Sequence, residues 1–156
     1  MKIGTHASTA AAIALAASLL HACAARATSS PTPSPTGADS SMATIAGTEW
    51  TLVELDGKAI GGIERRPTLS IESGRVAGFA GCNRFGAEIQ SKGGETWALG
   101  PVAATRMACE EAEMVLERDF LSALSAATRW RVDQGRLLLV GPDGKARLAF
   151  TGQRPG

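Results

Sequence analysis

The 156-residue sequence has no tyrosine and two histidines, His6 and His21, both inside an N-terminal stretch with the marks of a removable export signal. A folded part without histidine cannot run a Ser-His-Asp or Cys-His mechanism and lacks the commonest metal ligand. Tyrosine bases are excluded too. Carboxylates and lysine remain, but Glu54, Asp56, Glu64, Glu72, Glu88 and Lys58 fall in no spacing that marks an acid–base pair. The glycine pairs Gly61-Gly62 and Gly93-Gly94 lack the Lys-Ser/Thr ending of a phosphate loop and read as turns. The expectation is a non-enzyme without metal or cofactor.

Net charge is also small. The chain holds 16 Lys+Arg against 15 Asp+Glu, and loss of Lys2 with the signal leaves the exported part neutral. There is no block of like charge. Nucleic acid is therefore not expected as a partner, nor a polybasic membrane patch. The main apolar run, Ala10 to Leu20, is too short to span a bilayer as a stable helix.

That run instead fits a signal peptide over residues 1–22, with Lys2 at its start and small residues Ala22, Cys23 and Ala24 at its end. Two processing routes are open. Leu20-His21-Ala22-Cys23 is similar to a bacterial lipobox, in which Cys23 is acylated and becomes the new N-terminus. Ala22-Cys23-Ala24 also satisfies the small-x-small rule of ordinary signal peptidase, which would leave a soluble periplasmic protein. Lipidation is favoured, because a cysteine directly after the apolar run is otherwise hard to explain and a tether follows it. Residues 23–44 contain Ser30-Pro31-Thr32-Pro33-Ser34-Pro35-Thr36, which buries no apolar surface and lacks backbone donors at each proline. At about 3.1 Å per residue in polyproline geometry, such a segment holds a domain some tens of ångströms from a surface. Ala24 stands where an inner-membrane retention aspartate would sit. The expected location is the outer membrane, with the domain facing the periplasm.

From Ile45 to about residue 152 the pattern becomes that of a folded domain, followed by a tail at 153–156. Alternation predicts strands at Glu49–Leu55, Thr68–Glu72, Arg75–Ala80, Phe85–Ile89 and Trp97–Leu99. Further strands are expected at Trp130–Val132, Arg136–Val140 and Ala146–Thr151, with Pro142-Asp143-Gly144 turning between the last two. Between Glu110 and Ala127, apolar residues recur with a helical period at Ala112, Leu116, Phe120, Ala123, Leu124 and Ala127. Glu110, Glu111 and Glu113 suit the positive end of that helix. The fold class is α+β: mostly antiparallel strands with one amphipathic helix packed across them.

With Cys23 acylated, Cys82 and Cys109 remain as a pair in an oxidising space, where a disulfide is the expected state. It would tie the turn Gly81-Cys82-Asn83 to the helix start and stabilise the domain by roughly 3–4 kcal/mol. Two cysteines without histidine make an incomplete zinc shell.

The stretch Ser73-Gly74-Arg75-Val76-Ala77-Gly78-Phe79-Ala80-Gly81-Cys82-Asn83-Arg84-Phe85, with Ala98-Leu99-Gly100-Pro101 and Ala104-Thr105-Arg106-Met107-Ala108-Cys109, resembles the META domain, the HslJ-like family of heat-inducible bacterial lipoproteins. Trp50-Thr51-Leu52, Glu117 to Leu124 and Arg136-Leu137-Leu138-Leu139 are similar to the family's opening strand, helix and penultimate strand. One departure is that Gly86-Ala87-Glu88 replaces a Gly-x-Tyr of the family. The resemblance implies a partly open, β-barrel-like sheet with the helix lying across it, and no enzyme activity.

The resemblance also implies a lipoprotein linked with envelope stress and drug tolerance; the first reading is a monomer that binds a protein or cell-wall partner and helps maintain outer-membrane integrity. A second reading, by likeness to the lipid-binding pilot lipoproteins of type III secretion, is a carrier or chaperone for an apolar ligand such as an acyl chain, or a secretion component. In that reading Trp50, Phe79, Trp97, Phe120 and Trp130 either line a cavity or fill it. Asn83, Arg84 and Arg106 are candidates for a binding face. Their structural reading is a left-handed turn at Asn83 and arginines bonded to loop carbonyls.

Overall fold

A computed structural model of the chain describes residues 41–153; Cys23, the expected signal peptide and the Ser/Thr/Pro run lie outside the described residues. A 3-10 turn at Met42–Thr44 leads into β1 (Glu49–Leu55), β2 (Lys58–Ala59), β3 (Thr68–Glu72), β4 (Arg75–Phe79), β5 (Arg84–Glu88) and β6 (Ala103–Ala104). Helix α1 (Glu111–Ala126) follows, then β7 (Arg129–Asp133), β8 (Arg136–Val140) and β9 (Ala146–Gln153). Gln153, placed in the tail by sequence, is the last residue of β9 and pairs with Glu49.

Three tight hairpins come from one local device. Asp56-Gly57, Ser73-Gly74 and Gln134-Gly135 each place two successive residues at positive φ, joining β1 to β2, β3 to β4 and β7 to β8. Two-residue loops of this hand match the right-handed twist of the strands they join, and the second position is glycine in each. The Pro142-Asp143-Gly144 turn closes the β8–β9 hairpin as expected, with Gly144 donating to the Gly141 carbonyl at 3.0 Å.

All strands pair antiparallel, in the order β6-β5-β4-β3-β1-β9-β8-β7, with β2 attached to β1. The sheet curls but does not close through its own strands. The gap between β5 and β7 is occupied by the segment Glu95–Leu99. On one side, Gln90 donates its N–H to the Ala98 carbonyl at 2.8 Å and Ile89 bridges Leu99. On the other, Trp97 donates to Thr128 at 2.9 Å and Trp130 donates to Glu95 at 2.8 Å. The expected strand at Trp97–Leu99 is therefore a pair of isolated bridges. Its hydrogen bonds are divided between two neighbours, so it runs in register with neither.

Helix α1 lays Leu116, Phe120, Ala123 and Leu124 against the curled sheet. Phe120 is fully buried and meets the edges of Phe85 and Phe150 at ring separations of 5.5 and 6.3 Å. Around it sit Trp50, Leu52, Ile71, Val76, Trp97, Trp130, Leu139 and Leu148, all in one cluster. Four of the five aromatics named above thus fill the interior. Phe79 does not: it lies half-buried on the outer face of β4.

The tryptophans differ in their polar ends. Trp50 Nε1 donates to the Ile45 carbonyl at 2.9 Å, and Trp97 Nε1 donates to the Leu124 carbonyl at 3.1 Å, satisfying an orphan acceptor in the last turn of α1. Trp130 Nε1 is buried without a partner among the described residues. Trp97→Phe and Trp130→Phe trim similar apolar area, but only the first strands a buried carbonyl. The Trp97 variant should lose about 1–3 kcal/mol more in urea unfolding; equal losses would remove the capping role.

Candidate functional site

The chemistry written into the two cysteine segments converges at one end of α1. Gly81 has φ +121, and a Cβ there would lie 3.3 Å from the Glu113 carbonyl and from a Leu116 methyl. Glycine is required because the helix rests directly on this turn. Cys82, buried, bonds Cys109 two residues before α1, with Cα atoms 5.9 Å apart, within the ordinary span of a disulfide. Cys82 Sγ also lies 3.3 Å from the Met107 carbonyl, a contact without a hydrogen because the sulfur is oxidised.

Asn83 is 4% exposed and every polar function it has is used. Its backbone N–H donates to Glu117 Oε2 at 2.6 Å, and its Nδ2 donates to Glu117 Oε1 at 3.1 Å. Nδ2 also lies 3.3 Å from the Met107 carbonyl and from Cys82 Sγ. Its Oδ1 accepts from Thr105 Oγ1 at 2.9 Å and from the Met107 N–H at 2.7 Å. Its carbonyl accepts from Ala80 at 2.8 Å. One side chain thus joins the entry to β5, the loop after β6 and the helix. A buried amide left unpaired costs free energy, so this set of partners fixes all three pieces in one arrangement.

Two sequence expectations change here. Asn83 does not occupy the left-handed region; Gly81 takes the positive φ, leaving Asn83 to aim its amide inward. Arg84 and Arg106 do not hydrogen-bond loop carbonyls. Both are exposed, and among the described residues neither side chain has a hydrogen bond or ion pair. Of the three residues grouped as a binding face, the structure turns Asn83 in and leaves the two arginines out. Glu117, not singled out by sequence, is the missing member of the cluster. Its helical position on the half-buried flank of α1 was the available signal.

Of the five carboxylates considered for catalysis, Glu54, Asp56 and Glu88 are in surface ion pairs. Glu54 meets Arg136 at 2.7 Å, Asp56 meets Arg147 at 3.2 Å, and Glu88 pairs with Arg75. Among the described residues no group of three or more His, Cys, Asp or Glu is arranged to hold a metal ion.

Glu117→Gln tests the asparagine hub. Glutamine offers one oxygen where two Asn83 donors need acceptors, so its amide must face a donor. The variant should lose about 1–3 kcal/mol in urea unfolding, against near zero for the exposed Glu111→Gln. Equal behaviour of the two would dissolve the hub. Replacing both Cys82 and Cys109 by alanine should cost about 2–5 kcal/mol, and denatured, unreduced protein should release no thiol from either position.

The model of the META domain matches residues 43–155. None of the curated proteins matches the chain. Two solved structures resemble it in fold. The NMR structure of a protein from Burkholderia xenovorans is 24% identical, with a TM-score of 0.58 over 72% of this chain and 86% of that one. A second NMR structure is 20% identical, with a TM-score of 0.54 over 72% of this chain and 92% of that one. With the family match spanning the whole described sheet and helix, the chain belongs to the META domain family.

Proposed function

We propose that this META-domain chain is a non-enzymatic module of the bacterial envelope. It is carried on an acylated Cys23 and a Ser/Thr/Pro tether, and it binds a cell-wall or protein partner in support of outer-membrane integrity under stress. The observation that carries the reading is the disulfide between Cys82 and Cys109, on a chain whose opening residues have the export pattern. Such a bond persists in an oxidising compartment and is reduced in the bacterial cytosol.

The polar cluster supports the non-enzymatic part. Catalytic groups need free valences aimed at a substrate, and Asn83 has none left. The carrier reading draws less support, because Trp50, Trp97, Phe120 and Trp130 pack into the core where a ligand would have to lie. A binding role instead uses the surface, where Arg84 on β5 and Arg106 in the loop after β6 are exposed.

Anchoring is tested by expressing the full chain with Cys23 or with Cys23→Ser in a Gram-negative host. The parent should fractionate with the outer membrane and carry the mass of attached acyl chains. The Cys23→Ser form should appear soluble in the periplasm with the disulfide intact. Parent protein found in the cytosol, or with Cys82 and Cys109 as free thiols, would overturn the proposal.

A further inference from the structure

The outer face of the sheet carries a trough whose composition is unlike the rest of the surface. Thr68, Phe79 and Arg84 stand directly opposite one another across β3, β4 and β5. The next row is Ser70, Ala77, Gly86 and Ala103, all small. Beyond it Arg75 and Glu88 form their ion pair. A cleft of about 300 Å³ is lined by Thr68, Ser70, Ala77, Phe79 and Arg84 and reaches Glu49 and Arg65. Arg65 Cζ sits 4.3 Å from the Phe79 ring centroid, which holds one guanidinium at the rim.

Arg65 and Arg84 line one cleft together, and like Arg66, Arg106, Arg129 and Arg131 they form no ion pair among the described residues. Arg75, Arg118, Arg136 and Arg147 each pair with a carboxylate. Glu49 lines the same cleft as Arg65 and Arg84. We propose that this trough binds an anionic sugar, a carbohydrate unit bearing a carboxylate or a phosphate. This deepens the binding role proposed above and rests on it only for the source of the ligand.

Each part of the trough answers one part of such a ligand. The forked donors of Arg65 and Arg84 suit a carboxylate or phosphate. The small Ala77 side chain lets a ring lie close to the sheet beside Ser70. Phe79 carries the Arg65 guanidinium over its ring and so positions one of the two cations. The Thr68 and Ser70 hydroxyls and the Glu49 carboxylate suit neutral ring hydroxyls. An acidic peptide would match the arginines but bring its negative charges against Glu49. A neutral sugar would leave both guanidinium groups unanswered.

The test titrates the mature, detergent-purified protein with N-acetylmuramic acid, N-acetylglucosamine 1-phosphate and neutral N-acetylglucosamine, following backbone amide NMR shifts. An acidic sugar should move the Thr68, Phe79 and Arg84 amides and bind about tenfold or more tightly than the neutral one. Combined Arg65→Gln and Arg84→Gln should weaken that binding about tenfold or more, while Arg136→Gln, on β8, leaves it unchanged. A response to the carboxylated sugar alone identifies the wall polymer as source, and one to the phosphorylated sugar alone identifies a glycolipid headgroup; either supports the site. No shift with either acidic sugar, equal response to the neutral one, undiminished binding in the double variant, or tighter binding of polyglutamate would overturn it. The titration does not depend on where the chain resides, so its failure is separable from failure of the Cys23 experiment.

Discussion

The arrangement of this domain depends on a single buried amide. Asn83 spends two hydrogens, two lone pairs and both backbone groups on partners from three segments of chain. Its two bonds to Glu117 hold the turn against the helix. That contact is close enough for Gly81 to be sterically required. Because the helix covers the open side of the curled sheet, what positions α1 also determines how the core closes over Phe120. Local polar satisfaction and global packing are coupled here through Glu117 and Leu116, one turn of the same helix.

The disulfide beside the amide acts on a different state. A covalent link between Cys82 and Cys109 narrows the ensemble of the unfolded chain, whereas the hydrogen bonds of Asn83 exist only once the fold is made. The two are therefore complementary. The link brings Gly81–Asn83 and the helix start within reach, and the amide then selects one geometry among those the link permits. This division accounts for the sequence segments in which the cysteines sit. The Thr105 hydroxyl and the Met107 backbone in one, and the Asn83 amide in the other, satisfy each other.

Much of the sheet was legible in the sequence because period-two alternation reports which residues face a core. Glu49–Leu55, Thr68–Glu72 and Arg136–Val140 fold over the spans their patterns predict. The helix was legible for the same reason at a different period, although Ala112 on its apparent apolar face is exposed. What failed lacks such a period. β2 and β6 are two residues each, too short to alternate. Trp97 and Leu99 do alternate with Ala98, yet their backbone groups go to different neighbours, and pairing partners leave no trace in a hydrophobic pattern. At the cluster, Asn83 read as a turn residue because asparagine tolerates positive φ. The adjoining glycine takes that conformation at lower cost, which frees the asparagine for hydrogen bonding.

The same accounting bears on where binding is sited. A residue whose valences are all internal contributes rigidity, and the residues around it inherit fixed positions. Arg84 follows Asn83 directly, and its backbone N–H is tied to Thr105 Oγ1 at 3.2 Å. Its guanidinium therefore projects from a strand end whose register is locked by the hub, opposite Phe79 and in line with Thr68. The buried asparagine and the exposed arginine are then two halves of one device, the first holding the strand and the second presenting charge from it. A flexible arginine loses conformational entropy on meeting an anion; fixing the backbone beneath it removes part of that cost before any ligand arrives.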